Sequence, residues 1–197
     1  MILSKKDLKY YLLCDKISLR IPIKRKFPRP FVDVIWKYEI ILRKYEYYLN
    51  KKAKIYYPLM IYYKIMFLNM SNKLTIKLEP NVFGPGLSIA HYGTIVVNPQ
   101  AVVGNNCRIH EGVTIGATNG SSKSPRIGNN CFIGSGAKII GDIEIGDNVA
   151  IGAGAVVIDS FGESNVTLAG VPARIVSHNG SKKNIVNATD IADKRKK

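Results

Sequence analysis

An aliphatic residue returns at every sixth position between residues 97 and 157, and this period limits the folds open to the chain. Position 121, inside a polar stretch, is the one interruption. Helices need apolar spacings of three and four and half-buried strands a spacing of two, so a period of six fits neither as a long element. It predicts very short strands joined by tight corners, stacked as the coils of a parallel β-helix. The aliphatic positions are Val97, Val103, Ile109, Ile115, Ile127, Ile133, Ile139, Ile145, Ile151 and Val157.

A second set of small or apolar residues follows the first by four positions, from Ala101 to Ala155, and includes Cys107 and Cys131. We expect both sets to point into the β-helix, where cysteine behaves as a small hydrophobe. The cysteine spacing gives neither a zinc motif nor a disulfide framework, so no metal site is predicted. Glycine directly follows six of the aliphatic residues, as in Ile127-Gly128. Because glycine tolerates a positive φ, these glycines are predicted to turn the corners.

The positive charge of the chain lies outside the repeats. The net charge is +15, and residues 1–80 contribute +12 of it, with 18 Lys and Arg against 6 Asp and Glu. Residues 81–180 hold 5 against 6, and residues 181–197 hold 6 against 2. Two interpretations stay open: basic side chains that only solvate exposed faces, or attraction to an anionic surface or polymer.

Residues 1–75 are predicted to form a small helical domain. Ser4 and Asp7 have the form of a helix cap, and apolar residues recur at helical spacing over 31–50 and again from Pro58 to about Met70. Eight of the eleven tyrosines lie between positions 38 and 63, among lysines. They could pack against the β-helix or lie on an anionic membrane surface. Binding of nucleic acid is not expected, because no known nucleic-acid module is present.

The two ends of the sequence give weaker signals. The first residues lack the apolar core of a secretory signal, and the longest apolar run, 55–70, is broken by Pro58 and Lys64. A cytoplasmic protein, with possible peripheral contact at the inner face of the membrane, is the expectation. Residues 177–197 are polar and basic and are predicted to be disordered.

Residues 80–176 resemble the hexapeptide-repeat acyltransferases, and among them the serine acetyltransferase group. The resemblance rests on the repeats, on residues 84–97 (GPGLSIAHYGTIVV) and on residues 169–176 (AGVPARIV). The basic helical leader is similar to a branch associated with bacterial surface-polysaccharide biosynthesis. The resemblance implies a mainly β protein: a left-handed β-helix over residues 76–176 that forms a homotrimer, with acetyl-CoA as co-substrate in a groove between subunits.

The same resemblance points to His91 as the catalytic general base, because this histidine lies in the family motif. Imidazole titrates near neutral pH, so it can take the proton of an alcohol and later give one to the departing thiolate. His110 follows the inward-pointing Ile109 at a corner position and is the second catalytic candidate, with a role in orienting the acceptor or the donor.

The acceptor is predicted to be a sugar hydroxyl of a surface-polysaccharide or lipid-linked intermediate. Serine-specific enzymes carry an aspartate directly before the catalytic histidine, where this chain has Ala90, and a second histidine in the loop that interrupts the repeats, where it has none. A carboxylate normally holds such an imidazole in the right tautomer, and Glu79, Glu111 or a backbone carbonyl are the candidates for that role. Two alternatives stay open: a serine O-acetyltransferase of cysteine biosynthesis, and a non-catalytic scaffold that binds membrane or polymer.

The donor is expected to contact three parts of the chain. The interrupting loop is polar and ends in cations, and long loops in compact repeats usually serve a function. Two small-residue pairs lie one full coil apart and should stack on one face, where pantetheine amides can approach the backbone. An arginine in the terminal motif suits a CoA phosphate. The predicted acetyl-CoA contacts are Ala117, Thr118, Asn119, Lys123, Arg126, Ser135, Gly136, Ala153, Gly154 and Arg174.

Overall fold

The computed structural model describes residues 1–118 and 121–195. Within these residues the chain forms helices first, then a long series of short strands, then one more helix. The helices are α1 (Lys5–Ser18), α2 (Val34–Leu49), a 3₁₀ turn (Lys54–Tyr56), α3 (Tyr57–Leu74) and α4 (Ala188–Lys194). The strands are β1 (Ile76–Lys77), β2 (Ser88–Ile89), β3 (Ile95–Val97), β4 (Val102–Val103), β5 (Arg108–Ile109), β6 (Thr114–Gly116), β7 (Arg126–Ile127), β8 (Phe132–Ile133), β9 (Lys138–Ile140), β10 (Glu144–Ile145), β11 (Ala150–Ile151), β12 (Val156–Val157), β13 (Thr167–Gly170) and β14 (Ala173–Ser177).

The strands stack into three sheets that form the sides of a prism. The first sheet has the order β1-β3-β6-β9-β12, the second β10-β7-β4, and the third β14-β13-β11-β8-β5-β2. The pairs are parallel except at the last one, where β14 runs antiparallel to β13. From β2 to β12 consecutive strands belong to different sheets, so the chain winds once around the prism for every three strands, as the period of six predicts.

Both apolar sets of the repeat fill the interior of the prism. Every member of the two sets is at most 5 % exposed. Side chains of a strand alternate between the two faces of its sheet, so each strand of two or three residues directs an aliphatic side chain into the prism. The inward-pointing registers predicted from the sequence are therefore confirmed.

The prediction that the glycines after aliphatic residues turn the corners is wrong. At one of the three corners of the prism the turning residue is an asparagine in each coil: Asn106, Asn130 and Asn148 have φ of 56°, 57° and 58°. Their side chains form a ladder, in which Asn106 Nδ2 donates to Asn130 Oδ1 at 2.8 Å and Asn130 Nδ2 to Asn148 Oδ1 at 3.0 Å. Gly128 is needed for a different reason, because a Cβ there would lie 2.7 Å from the backbone of Gly146 in the next coil.

The loop between β6 and β7 lengthens one coil. Ile127 pairs with Ile145, three hexads further along the chain, whereas Val103 pairs with Ile127, four hexads further along. The loop thus adds one hexad and leaves the pairing above and below it unchanged. This agrees with the single interruption seen in the sequence period.

A buried ion-pair network joins the helices to the first coil. Arg43 on α2 is fully buried, and its guanidinium donates to Asp15 at 2.7 Å (Nε to Oδ2) and to Glu46 at 3.0 Å (Nη1 to Oε2). It also donates to the carbonyl oxygens of Phe83 and Gly84. Every donor of a buried guanidinium needs an acceptor, so this network fixes how α1 and α2 sit on the segment before β2.

Aromatic side chains complete this junction. Tyr38 stacks on Phe67 with ring centroids 5.4 Å apart, and Tyr45 lies 5.6 Å from the same ring. All three belong to one core cluster with the residues inside the β-helix. These tyrosines therefore pack the helices against the prism, the first of the roles considered for them.

The C-terminal segment does not fit the prediction of disorder, which is wrong for its described part. Residues 188–194 form α4, and Ala188 and Ala192 pack on Cys14 and Ile17 of α1. Thr189 caps the asparagine ladder, since its hydroxyl accepts from Asn106 Nδ2 at 2.8 Å. The packing of α4 could not be predicted from the sequence, because its partners lie far earlier in the chain.

The helices of the described residues also bear on membrane insertion. None of them combines the length and the apolar character needed to cross a bilayer.

Candidate functional site

One corner of the prism carries both candidate histidines. It is the corner between the third and the first sheet, where the chain leaves β2, β5, β8 and β11 in successive coils. We call it the histidine edge and define it by residues 90–93, 110–112, 134–136 and 152–154. The pairing of Ile89 with Ile109, and of Ile109 with Ile133, sets these segments above one another.

The histidine edge brings three titratable side chains together. The rings of His91 and His110 lie 5.7 Å apart, centroid to centroid, at an angle of 67°. Glu111 Oε2 lies 3.8 Å from His110 Nδ1. One ligand-type atom from each of the three residues lies within 4.8 Å of the other two. The sequence made Glu111 one of the candidates but could not place it opposite His91, because the pairing of Ile89 with Ile109 spans more than the three hexads of a regular coil.

The surroundings assign different protonation states to these groups. Burial, and then the positive charge of Arg108, lower the pKa of His110, so its imidazole is neutral at neutral pH. Hydrogen bonds from the Ser135 side chain and from the backbone amide of Glu111 itself lower the pKa of Glu111, so its carboxylate is charged. The rings of Phe132 and His110 pack edge to face, 5.1 Å between centroids. A charged carboxylate beside a neutral imidazole is the arrangement that stabilises an imidazolium when a proton is taken up.

Of the candidate carboxylates, the structure favours Glu111 over Glu79 as partner of the histidines. Glu79 acts on Tyr45 instead, where its charge adds to burial in raising the tyrosine pKa. Glu111 directly follows His110 in the sequence, which was the available signal. The contact of Phe132 with His110 could not be predicted, because the repeat pattern does not indicate which outward side chains contact a neighbouring coil.

The same three side chains are the possible metal ligands in the part of the chain that the structure describes. Two imidazoles and a carboxylate are a donor set that zinc accepts. The prediction of no metal stays a prediction.

Four of the predicted donor contacts lie on the histidine edge. Ser135 and Gly136 follow β8, and Ala153 and Gly154 follow β11, in the two coils next to His110. The Gly154 amide donates to the Ser135 carbonyl oxygen at 2.8 Å, which stacks the two pairs directly. A Cβ at Gly154 would meet nothing within 4 Å, so this stretch of backbone is open to a ligand.

The loop residues lie at a different corner. Ala117 and Thr118 follow β6 at the far side of the first sheet from the histidines, and Arg126 is exposed on β7. Lys123 makes an exposed ion pair with Asp142, Nζ to Oδ2 at 2.8 Å. Lys123, Arg126 and Asp142 line a polar cavity of about 700 Å³. Asn119 lies outside the described residues.

Arg174 is separate from both groups. It is exposed on β14, and its Nη1 lies 3.2 Å from Asp159 Oδ2. Within one chain, the structure therefore brings together the two histidines with the Ser135 and Ala153 segments, and does not bring the loop cations or Arg174 to them.

Comparison with known families places the repeats among bacterial transferases. Residues 124–159 match the family described as "Bacterial transferase hexapeptide (six repeats)". The described fold and this match confirm the predicted left-handed β-helix preceded by helices.

Curated relatives of the chain are serine acetyltransferases. The protein of Synechococcus elongatus is 35% identical over 116 residues, which is 57% of this chain and 47% of the relative. That of Synechocystis is 43% identical over 112 residues, 55% of this chain and 45% of the relative. The chain thus spans about half the length of the curated relatives it matches.

Solved structures give the same result. Serine acetyltransferase from Brucella abortus superposes with a TM-score of 0.68 at 29% identity, over 90% of this chain and 72% of the other. The same enzyme in complex with coenzyme A gives 0.62 at 28% identity, over 89% and 68%. The Neisseria gonorrhoeae serine acetyltransferase in complex with serine gives 0.63 at 27% identity, over 88% and 71%.

The chain therefore carries repeats that match those of hexapeptide transferases, and the relatives named above are serine acetyltransferases. This supports the predicted acyltransferase class. It also shows that the predicted sugar acceptor is wrong, since the relatives and the structures named above act on serine by their names. The physical reason is that Ala90 in place of an aspartate does not leave the site without a carboxylate, because Glu111 brings one to the histidines from the next coil.

Proposed function

We propose that this protein is an acetyl-CoA-dependent serine O-acetyltransferase. The observation that carries the proposal is the cluster of His91, His110 and Glu111 on the edge of a β-helix whose homologues are serine acetyltransferases. Complexes of such homologues with coenzyme A and with serine support the donor and the acceptor. The proposal takes the place of the sugar acceptor and of the non-catalytic scaffold considered from the sequence.

In the proposed reaction His91 is the general base. Its imidazole takes the proton of the serine hydroxyl while the oxygen attacks the thioester carbonyl of acetyl-CoA. The tetrahedral intermediate then loses the CoA sulfur, which receives the proton from the imidazolium, and O-acetylserine and CoA are the products. Glu111 is a positioning residue, whose charge stabilises the imidazolium and holds the ring in place. Both substrates are bound together, and no acyl-enzyme is formed.

The proposed donor site uses the open backbone at Ser135–Gly136 and Ala153–Gly154 for the pantetheine arm. The cations Lys123, Arg126 and Arg174 are proposed for the phosphates. Ala117 and Thr118 are proposed to border the same groove.

A homotrimer is part of the proposal. The loop and the histidine edge lie at opposite sides of the first sheet in one chain, and this separation supports a site shared between neighbouring subunits. Analytical ultracentrifugation at several concentrations tests it, with a trimer as the expected species. The domain limits 1–75, 76–176 and 177–197 and the cytoplasmic location stay predictions.

The test is release of the CoA thiol by purified protein with acetyl-CoA and L-serine, with O-acetylserine identified by mass spectrometry. L-Alanine is the matched control, because it lacks only the hydroxyl. In His91→Ala we expect kcat to fall by more than about 100-fold, since general-base help has that size. Unchanged circular dichroism and CoA binding would assign the loss to chemistry. Serine-independent thiol release, or His91→Ala turnover near that of the wild type, would overturn the proposal.

A further inference from the structure

A large groove opens among the helices, on elements that the proposed reaction does not use. It lies between α1, α2, α3 and the loop 22–33, and its volume is about 900 Å³. We call it the basic groove. Its floor is apolar and includes Leu13, Trp36, Ile40, Met66 and Met70. A cavity of this size with an apolar floor can hold part of an acyl chain or of a lipid surface.

The charged residues at the rim of the basic groove, among the described lining residues, are all cationic. Six Lys and Arg side chains line it and no Asp or Glu does. Some are occupied: Lys16 Nζ donates to the Ile23 carbonyl oxygen at 2.8 Å, and Arg29 pairs with Asp33. Lys37 and Lys73 are exposed, and no ion pair holds either of them in the described part of the chain. Their charges are therefore available to an anionic partner.

Two phenylalanines stand at the lip of this groove. Phe27 is 78 % exposed and Phe31 is 97 % exposed, on a loop that contains three prolines. Phe31 also has a left-handed backbone, with φ of 61°, which is costly for a residue with a Cβ. A proline-rich loop that presents two large aromatic rings to solvent is a feature of sites that meet another apolar phase.

The exposed apolar surface continues along α3. Tyr62, Met66 and Lys73 line the groove, whereas Ile61, Ile65 and Leu68 form the neighbouring stripe at spacings of four and three. These last three side chains are between 38 % and 54 % exposed. The groove and the stripe together make one amphipathic face.

We propose that the basic groove docks this protein on an anionic phospholipid surface. Lysines at the rim would meet the lipid phosphates, while Phe27, Phe31 and the α3 stripe enter the boundary between headgroups and acyl chains. A second copy bound face to face is disfavoured, because an isologous contact would oppose two cationic rims with no carboxylate between them. The docking is peripheral and needs no spanning helix.

The experiment is co-sedimentation with phosphatidylcholine vesicles, with and without about one third of phosphatidylglycerol. We expect binding to the anionic vesicles alone, lost in about 0.5 M salt because the charges are screened. Phe27→Ser/Phe31→Ser should weaken partitioning about tenfold or more through lost apolar insertion. Lys37→Ala/Lys73→Ala should weaken it about thirtyfold through lost attraction.

Two matched variants lie away from the groove. Val102→Ser/Ile158→Ser removes exposed apolar side chains from the β-helix, and Lys182→Ala/Lys183→Ala removes two exposed charges near the C-terminus. Neither should change partitioning, and all variants should keep the thiol-release activity and the Tm of the wild type. Inorganic phosphate is added as a soluble competitor, and it should not displace the protein from vesicles.

Four results would overturn the proposal. The first is no sedimentation with either vesicle, and the second is equal binding to neutral vesicles. The third is loss of binding in the Lys182/Lys183 variant with no loss in the groove variants. The fourth is lipid-free association that the groove variants abolish, which would assign the face to a second copy of the chain. None of these results bears on serine acetylation, so this inference and the proposed function can fail separately.

Discussion

The β-helix and the helical segment before it are stabilised in opposite ways. The β-helix uses the same kind of contact in every coil: an inward aliphatic residue at a fixed position, and small residues where coils approach each other. Its surface is near neutral. The helices are held by contacts that each occur once: the buried Arg43 with its two carboxylates, and aromatic pairs of differing geometry such as Tyr38 with Phe67. A repeated core spreads its stability over many equal contacts, whereas the helical segment depends on a few.

The largest effect is expected from the buried ion-pair network. Arg43→Met should lower the free energy of unfolding by about 3–5 kcal/mol, because Asp15 and Glu46 stay buried without their cation. Chemical denaturation followed by the fluorescence of Trp36, the one tryptophan, measures it. Arg108→Met is the matched control: its Nη1 donates to Ser88 Oγ in a half-buried site, so a smaller loss is expected. Equal losses in the two variants would remove the contrast between the regions.

A middle-sized effect is expected from Glu111. Glu111→Gln should lower kcat about tenfold and leave the KM for acetyl-CoA nearly unchanged, because the side chain positions an imidazole and is not proposed to contact acetyl-CoA. Its carboxylate also raises the pKa of His110, against the lowering by burial and Arg108. Without it that pKa falls further, so the acid limb of the kcat/KM profile should move to lower pH, since a protonated His110 repels the imidazolium that forms on His91. Glu144→Gln, exposed on β10, should move neither quantity.

The smallest effect is expected from Glu39, a buried acid of the helical segment. Glu39 Oε1 accepts from the Ile89 amide at 3.0 Å, while Oε2 has no hydrogen-bond partner among the described residues. Burial, and then the charge of Asp15, raise the pKa of Glu39 well above its usual value of 4.5. An acid whose pKa is raised on folding stabilises the fold at low pH and loses this contribution as pH rises through the folded pKa.

Glu39→Gln stays neutral at every pH, so its Tm should rise relative to that of the wild type between about pH 5 and pH 8, by a few degrees. Thermal melts at each pH measure the difference. A Tm difference that does not change with pH would show that Glu39 stays charged when buried. The same series on Glu144→Gln should be flat, because that side chain is exposed.

The sequence predicts the β-helix well because its signal is local and repeated. Residues such as Ile133 and Ile151 differ by one coil, so the spacing alone tells which side chains stack. The prediction for the corner residues fails because glycine can be required for two reasons, a positive φ or a close approach of the next coil, and the sequence does not distinguish them. Asn130 adopts the left-handed backbone, and Gly128 only avoids a collision with the next coil.

What the sequence could not predict are contacts set by one irregular spacing or by distant segments. Glu111 is one of the candidates named from the sequence, but its place opposite His91 depends on a first coil slightly longer than a regular one, which no period shows. From the sequence Arg43 resembles an exposed cation of an amphipathic helix. Its burial could not be predicted, because its partner Asp15 lies on another helix, far earlier in the chain. The helix α4 reads as a polar tail, because its apolar contacts are two alanines against α1.

The one-hexad insertion after β6 has a consequence for how such a protein can diversify. Val103 and Ile127 pair in register on either side of it, so the chain leaves and re-enters the prism without a change of phase. The closing entropy of a surface loop grows slowly with its length. Segments of other lengths and sequences can therefore be exchanged at this position at little cost to folding, so substitutions and insertions here can change which molecules reach the neighbouring groove while the β-helix stays intact.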